Sequence, residues 1–188
     1  MNTPNKLTII RMILAPVFLA VLLWESLPHN CLYACIIFAI ASATDWLDGR
    51  LARKNNQITT FGKFLDPIAD KLLTTSAMLA FISIGLCNVW IVMIVLAREF
   101  IVTSVRMIAS SAGTVISAGF SGKLKTVVQV SFIMIVLILI ELMAFGVLAA
   151  DFPLALVSNL LFWVTAILSV ISGILYTAGN REFISVTK

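Results

Sequence analysis

Six stretches of about 20 mostly apolar residues follow one another along this chain, and each is long enough for a helix to cross the hydrocarbon core of a bilayer. They cover residues 7–24, 32–53, 66–86, 89–110, 122–148 and 154–176. The breaks at 26–30, 55–62, 85–88, 111–121 and 151–153 each contain the Gly, Pro, Asn or Ser that lets backbone leave a helix. Composition agrees: of 188 residues, 61 % are hydrophobic and 12 % charged, against about 45–50 % and about 25 % in soluble domains. That much apolar surface cannot be hidden inside one domain of this length, and the same numbers exclude disorder. Cys31, Cys35 and Cys87 are scattered without a C-x-x-C spacing and read as small apolar residues, not as a disulfide framework. The first stretch lacks a small-residue cleavage site and is followed by five more, so it is not read as a signal peptide. The expected fold is an all-α integral membrane protein, one transmembrane domain over residues 1–188 with six spanning helices.

The thirteen Lys and Arg residues orient it. Lys6 and Arg11 lie near the N-terminus, Arg50, Arg53, Lys54, Lys63 and Lys71 surround the second break, and Arg98 and Arg106 lie in the fourth stretch. Lys123 and Lys125 open the fifth, and Arg181 and Lys188 lie near the C-terminus. The breaks after stretches one, three and five carry none of them, but Glu25, His29 and Asp151 instead. The positive-inside rule then places both termini in the cytoplasm. The net charge of +4 is accounted for by topology, so a nucleic-acid partner is not expected. No inverted repeat of the kind that marks many transporters is visible.

Four carboxylates interrupt this apolar text. Asp45 and Asp48 stand three apart at the end of the second stretch, and Asp66 and Asp70 four apart at the start of the third. Each pair shares one helix face. A short connection makes the two helices antiparallel neighbours, so all four can converge at the cytoplasmic edge of the bilayer. Four anions in low dielectric require protons or cations among them. Oxygen-only donors suit Mg²⁺ or Mn²⁺ and disfavour zinc, and a metal pair is a known clamp for phosphate oxygens. Gly49, Ala52 and Gly62 let a bulky group approach the backbone or let helices pack closely, and Arg53 could neutralise a phosphate.

Asp45-x-x-Asp48-Gly49-x-x-Ala52-Arg53, eight residues, then Gly62-x-x-x-Asp66-x-x-x-Asp70 resembles, at every specified position, the motif of the CDP-alcohol phosphatidyltransferase family. Members of that family move a substituted phosphate from a CDP-linked donor to an alcohol and release CMP. The resemblance implies that Asp45, Asp48 and Asp66 hold two divalent metal ions, that Asp70 touches one of them and acts as general base, and that Gly49, Ala52, Arg53 and Gly62 shape the CDP pocket. It also implies a homodimer. Chemically, an attacking alcohol must lose a proton, which a carboxylate can take. The donor's acyl tails require the site to lie at the membrane interface.

The acceptor is read from two further patches. In A-R-E-F-I-V-T-S-V-R, Glu99, Thr103 and Arg106 share a helix face, with Arg98 beside them. S-G-K-L-K-T places Lys123 and Lys125 at a helix N-terminus, an anion-binding position. Together with the opening P-N-K-L-T-I-I-R, these look like the branch of the family that takes CDP-diacylglycerol as donor and sn-glycerol 3-phosphate as acceptor. Arg98, Arg106, Lys123 and Lys125 are the residues expected to hold the acceptor phosphate, with Asn5, Thr8 and Arg11 closing the nucleotide end. The plainer readings are membrane anchoring for Lys123 and Lys125, an internal ion pair for Arg98, and snorkelling for Arg11. Glu141 lies deep in the fifth stretch with no partner that the sequence assigns, and His29 is expected to be solvated in an outer loop.

Other acceptors (phosphatidylglycerol, inositol phosphate, serine) would use the same chemistry. A divalent-cation transporter would need carboxylates near the midplane, and a purely structural membrane protein would not need the motif. The expected location is a bacterial cytoplasmic membrane, with the active site at the cytoplasmic face.

Overall fold

A computed structural model shows six α-helices where the apolar stretches predict them: α1 (Thr3–Leu22), α2 (Asn30–Lys54), α3 (Thr60–Ser83), α4 (Val89–Ser111), α5 (Phe120–Ala144) and α6 (Leu154–Gly179). The structure describes residues 3–54, 60–111, 113–114, 116 and 119–181, apart from the side chains of 3–5, 45–54, 60–67, 70 and 111. Among the described residues there is no strand. By length and composition, α5 and α6 are apolar enough to cross a membrane, and only 28 % of each apolar window is buried inside the protein. A soluble core helix of such composition would be mostly buried, so these two faces suit apolar surroundings and mark a membrane protein.

Several helix ends differ from the apolar limits. Helix α3 begins at Thr60, not at residue 66, so Gly62 lies within it and the gap after α2 shortens to 55–59. Apolarity marks where hydrocarbon begins, whereas backbone hydrogen bonding continues into the polar zone. Helix α5 ends at Ala144, not at 148. There Gly146 takes φ +70°, and the Val147 N–H returns to the Leu142 carbonyl at 2.9 Å, a left-handed helix stop. Helix α6 runs on to Gly179.

The chain forms two compact units, one of Met1–Ile84 with Ile133–Leu154, the other of Gly85–Phe132 with Ala155–Lys188. In the first, α1 packs along both α2 and α3. Its buried face repeats Thr8, Arg11, Ala15, Phe18 and Leu22, steps of three and four that keep one stripe inward. Cys31, Ala34, Phe38 and Ala41 do the same on α2, and Phe18 meets Phe38 at 5.5 Å between ring centroids. Small residues at Ala34, Ala41, Ala69, Ala77 and Ala80 permit close helix approach.

The end of this unit where α1 leads into α2 is tied by Glu141. One oxygen accepts the Leu32 backbone N–H at 3.1 Å, and the other pairs with Nδ1 of His29. His29 stacks on Phe145 and stands at φ +55°. Its side chain is 43 % exposed, so the expected solvated histidine is only half so: it also holds a partner. Asn30 donates to the Leu22 carbonyl at 2.8 Å, closing the end of α1.

In the second unit, α4 and α6 run side by side in the same direction. Three contacts in matching order establish this: Ser158 to the Leu86 carbonyl at 2.6 Å, Arg98 to Ser172 at 3.0 Å, and Arg106 to Tyr176 at 3.1 Å. The buried stripe of α6 carries four small polar residues, Ser158, Thr165, Ser169 and Ser172, with Phe162 and Ala166 between them, while Leu156, Leu160, Ile167, Ile174 and Leu175 face outward. Cys87, in the turn before α4, is buried, and burial pushes its thiol up to about 12.

Candidate functional site

The carboxylate motif spans two helices of the first unit. Asp45 and Asp48 fall in the last three turns of α2, and Asp66 and Asp70 in the first three turns of α3. These are the ends joined by 55–59, and α1 packs on both helices. The helical backbone keeps each pair on one face. The side chains of Asp45, Asp48, Gly49, Ala52, Arg53, Gly62, Asp66 and Asp70, and that of Asn5, lie outside the described residues. As a donor set, four carboxylates fit a hard divalent cation. Thr8 and Arg11, the other residues expected at the nucleotide end, lie one turn apart on the inward face of α1, each 1 % exposed. Burial of Arg11 removes the snorkelling reading, because a snorkelling head group stays in water.

The second unit gathers the cations. Arg98 and Lys125 are 8 % and 2 % exposed. Both donate to the same atom, Oε1 of Glu99: Nη1 of Arg98 at 2.8 Å and Nζ of Lys125 at 2.9 Å. Lys125 also donates to Oε1 of Gln129, one turn on along α5, at 2.6 Å. Nε of Arg98 donates to Ser172, whose hydroxyl in turn donates to the Ser169 carbonyl at 3.1 Å. The arginine side chain runs between two glycines. A Cβ on Gly122 would lie 3.0 Å from Nη2, and one on Gly173 would lie 3.1 Å from Cγ. The first turn of α5 is thereby seated against the middle of α4.

This places positive charge on positive charge. Arg98 and Lys125 share one carboxylate, and Nη2 of Arg98 lies over the third residue of α5. The unsatisfied N–H groups of a helix N-terminus carry about half a positive charge. Lys123, exposed on the same turn, adds another cation. Such an arrangement suits a ligand with two negative charges.

Arg106 is placed differently. It stands eight residues past Arg98 on α4, about 12 Å along the axis. Its guanidinium lies over the Tyr176 ring at 5.4 Å, and Nε donates to the Tyr176 hydroxyl. Of the four cations expected at the acceptor phosphate, the structure therefore brings Arg98 and Lys125 onto one atom, leaves Lys123 on the surface beside them, and holds Arg106 two turns away. Sequence reasoning missed Gln129, Ser172 and Tyr176 as the groups that hold these cations, and gave Glu99 no role. A polar residue one turn from a lysine in an apolar helix, as Gln129 is, was the signal available.

Known proteins of one family resemble this chain over nearly its whole length. The family model for CDP-alcohol phosphatidyltransferases matches residues 1–171. A CDP-diacylglycerol–glycerol-3-phosphate 3-phosphatidyltransferase of Bacillus subtilis (strain 168) is 39 % identical, over 96 % of each chain. A protein of the same name from Rickettsia bellii (strain RML369-C) is 33 % identical over 97 % of each. A probable phosphatidylglycerophosphate synthase of Mycobacterium tuberculosis (strain ATCC 25618 / H37Rv) is 37 % identical over 94 % of this chain and 80 % of its own length. With an unbroken eight-position motif on α2 and α3 and a match that runs from the first residue into α6, this chain belongs to the CDP-alcohol phosphatidyltransferase family.

Proposed function

We propose that the chain transfers the phosphatidyl group of CDP-diacylglycerol to sn-glycerol 3-phosphate, giving phosphatidylglycerophosphate and CMP. The observation that carries the acceptor assignment is the pair of buried cations, Arg98 and Lys125, on one Glu99 oxygen. A phosphate monoester is close to a dianion at neutral pH, and it supplies the charge this cluster lacks. Serine would leave the surplus uncompensated. The relatives named for this reaction, at 39 % and 33 % identity over nearly their whole lengths, support the same reading.

In the reaction, Asp70 takes the proton of the acceptor hydroxyl as its oxygen attacks the phosphorus that bears the diacylglycerol. The new O–P bond forms as the bond to the bridging oxygen breaks, and that oxygen leaves with CMP. Asp45, Asp48, Asp66 and Asp70 would hold two Mg²⁺ or Mn²⁺ ions, whose charge offsets that of the diphosphate and of the departing CMP. Gly49, Ala52, Arg53 and Gly62, with Asn5, Thr8 and Arg11, form the nucleotide end. Arg98, Lys125, Lys123 and Arg106 receive the acceptor phosphate.

The apolar outer faces of α5 and α6, and the parallel run of α4 and α6, support six spans with both termini on the cytoplasmic side of a bacterial membrane. The working form is a homodimer, checked by mass measurement of the protein–detergent complex.

The test is CMP release by purified protein in detergent, with CDP-diacylglycerol and Mg²⁺, with and without glycerol 3-phosphate. Release should require the acceptor, stop when EDTA is added, and fall at least about 100-fold in Asp70→Asn. Faster release with phosphatidylglycerol, inositol phosphate or serine would reassign the acceptor. Absence of release with any alcohol, together with Mg²⁺ flux in liposomes, would favour the transporter.

A further inference from the structure

Among the described residues, Glu99 is the acid that both cations meet, and its presence there poses a physical question. A carboxylate beside a phosphate site repels the ligand, so a site built only for attraction would omit it. Yet both cations meet at one of its oxygens, with Gln129 fixing the lysine from the far side and Ser172 fixing the arginine. Without an anion between them, Arg98 and Lys125 would repel each other in a low-dielectric interior and take separate positions.

We propose that Glu99 is a positioning residue for acceptor recognition: it holds Arg98 and Lys125 at a fixed separation, so that they present a preorganised two-cation receptor to a phosphate monoester. This rests on the acceptor reading above and goes beyond it, because it assigns selectivity to an acid that does not itself attract the substrate. Two charge-assisted hydrogen bonds to one oxygen fix geometry better than either alone. A receptor ordered in advance loses less entropy on binding than one that must assemble around its ligand.

Two opposed effects of removing the charge make the idea decidable. If Glu99 only competes with substrate for the cations, Glu99→Gln should bind glycerol 3-phosphate more tightly. If it positions them, the cations spread apart and binding weakens. In the full-length protein in detergent, we expect Glu99→Gln to raise KM for glycerol 3-phosphate by roughly 10- to 100-fold, the scale of a small misplacement. KM for CDP-diacylglycerol should stay within about twofold of wild type, since the donor has no phosphate monoester for this pair of cations to hold. Glu99→Asp, which keeps the charge, should recover part of the loss. Gln129→Leu, a substitution that suits an apolar helix, removes the second anchor of Lys125 and should raise the same KM by a smaller factor; it serves if Glu99→Gln does not fold. An acceptor KM that is unchanged or lowered in the folded variants would overturn the proposal, as would an equal rise in both KM values. Wild-type release that does not depend on glycerol 3-phosphate would instead overturn the acceptor reading, and this proposal with it.

Discussion

Glu141 on α5 accepts the backbone N–H of Leu32 at 3.1 Å, so a carboxylate from a distant helix caps the first turn of α2. The same side chain pairs with His29. Glu141 is 6 % exposed. The Leu32 N–H is shared with the His29 carbonyl at 3.0 Å, and the His29 side chain is 43 % exposed. Removal of Glu141 therefore loses its share of that bond and the contact with His29 without leaving either group bare. Glu141→Ala should cost about 0.5–1.5 kcal/mol, seen as a lower thermal midpoint in detergent. Glu141→Gln, which keeps an acceptor, should cost less. Neither should shift KM for glycerol 3-phosphate, because the residue belongs to the other unit from Arg98 and Lys125.

Gly122 and Gly173 make room for Arg98. An alanine at either position would place a Cβ at 3.0 Å from Nη2 or 3.1 Å from Cγ. The arginine is hydrogen-bonded at Nε and at Nη1 and cannot simply withdraw. Gly173→Ala should destabilise by about 1–3 kcal/mol through overpacking, read as a lower thermal midpoint. Gly122→Ala acts at the tip of the side chain, where movement is easier. It should chiefly raise the acceptor KM, measured by initial rates at saturating donor.

Tyr176 holds Arg106 by its ring face and by its hydroxyl. Tyr176→Phe keeps the ring and loses the hydrogen bond, and Tyr176→Leu loses both. The acceptor KM should rise about twofold in the first and by roughly tenfold in the second, following the net worth of one hydrogen bond and of a cation over an aromatic face. Identical values for the two variants would mean that the ring contributes nothing.

Cys87 is buried, with its thiol pushed up to about 12. Only the thiolate is nucleophilic, so at pH 8 the group is almost wholly protonated. Iodoacetamide should leave Cys87 unmodified in the folded protein and alkylate it after denaturation, which peptide mass spectrometry would show.

Apolar length alone located all six helices, because a long apolar stretch in this chain satisfies its backbone most simply as a helix. The spacing of Asp45, Asp48, Asp66 and Asp70 placed each pair on a helix face, because helical periodicity is local. Helix ends were less legible: α3 starts at Thr60, ahead of its apolar limit, since backbone hydrogen bonds do not stop where lipid does. The partners of isolated polar residues were not legible at all. Glu141 meets Leu32 across 109 positions, and Lys125 meets Glu99 across 26. Sequence spacing carries no distance information between helices; only their packing brings such pairs into contact. For the same reason Arg98, Arg106, Lys123 and Lys125 look alike as charges along the chain. Folding seats Arg98 and Lys125 on one carboxylate, leaves Lys123 exposed beside them, and turns Arg106 onto a tyrosine.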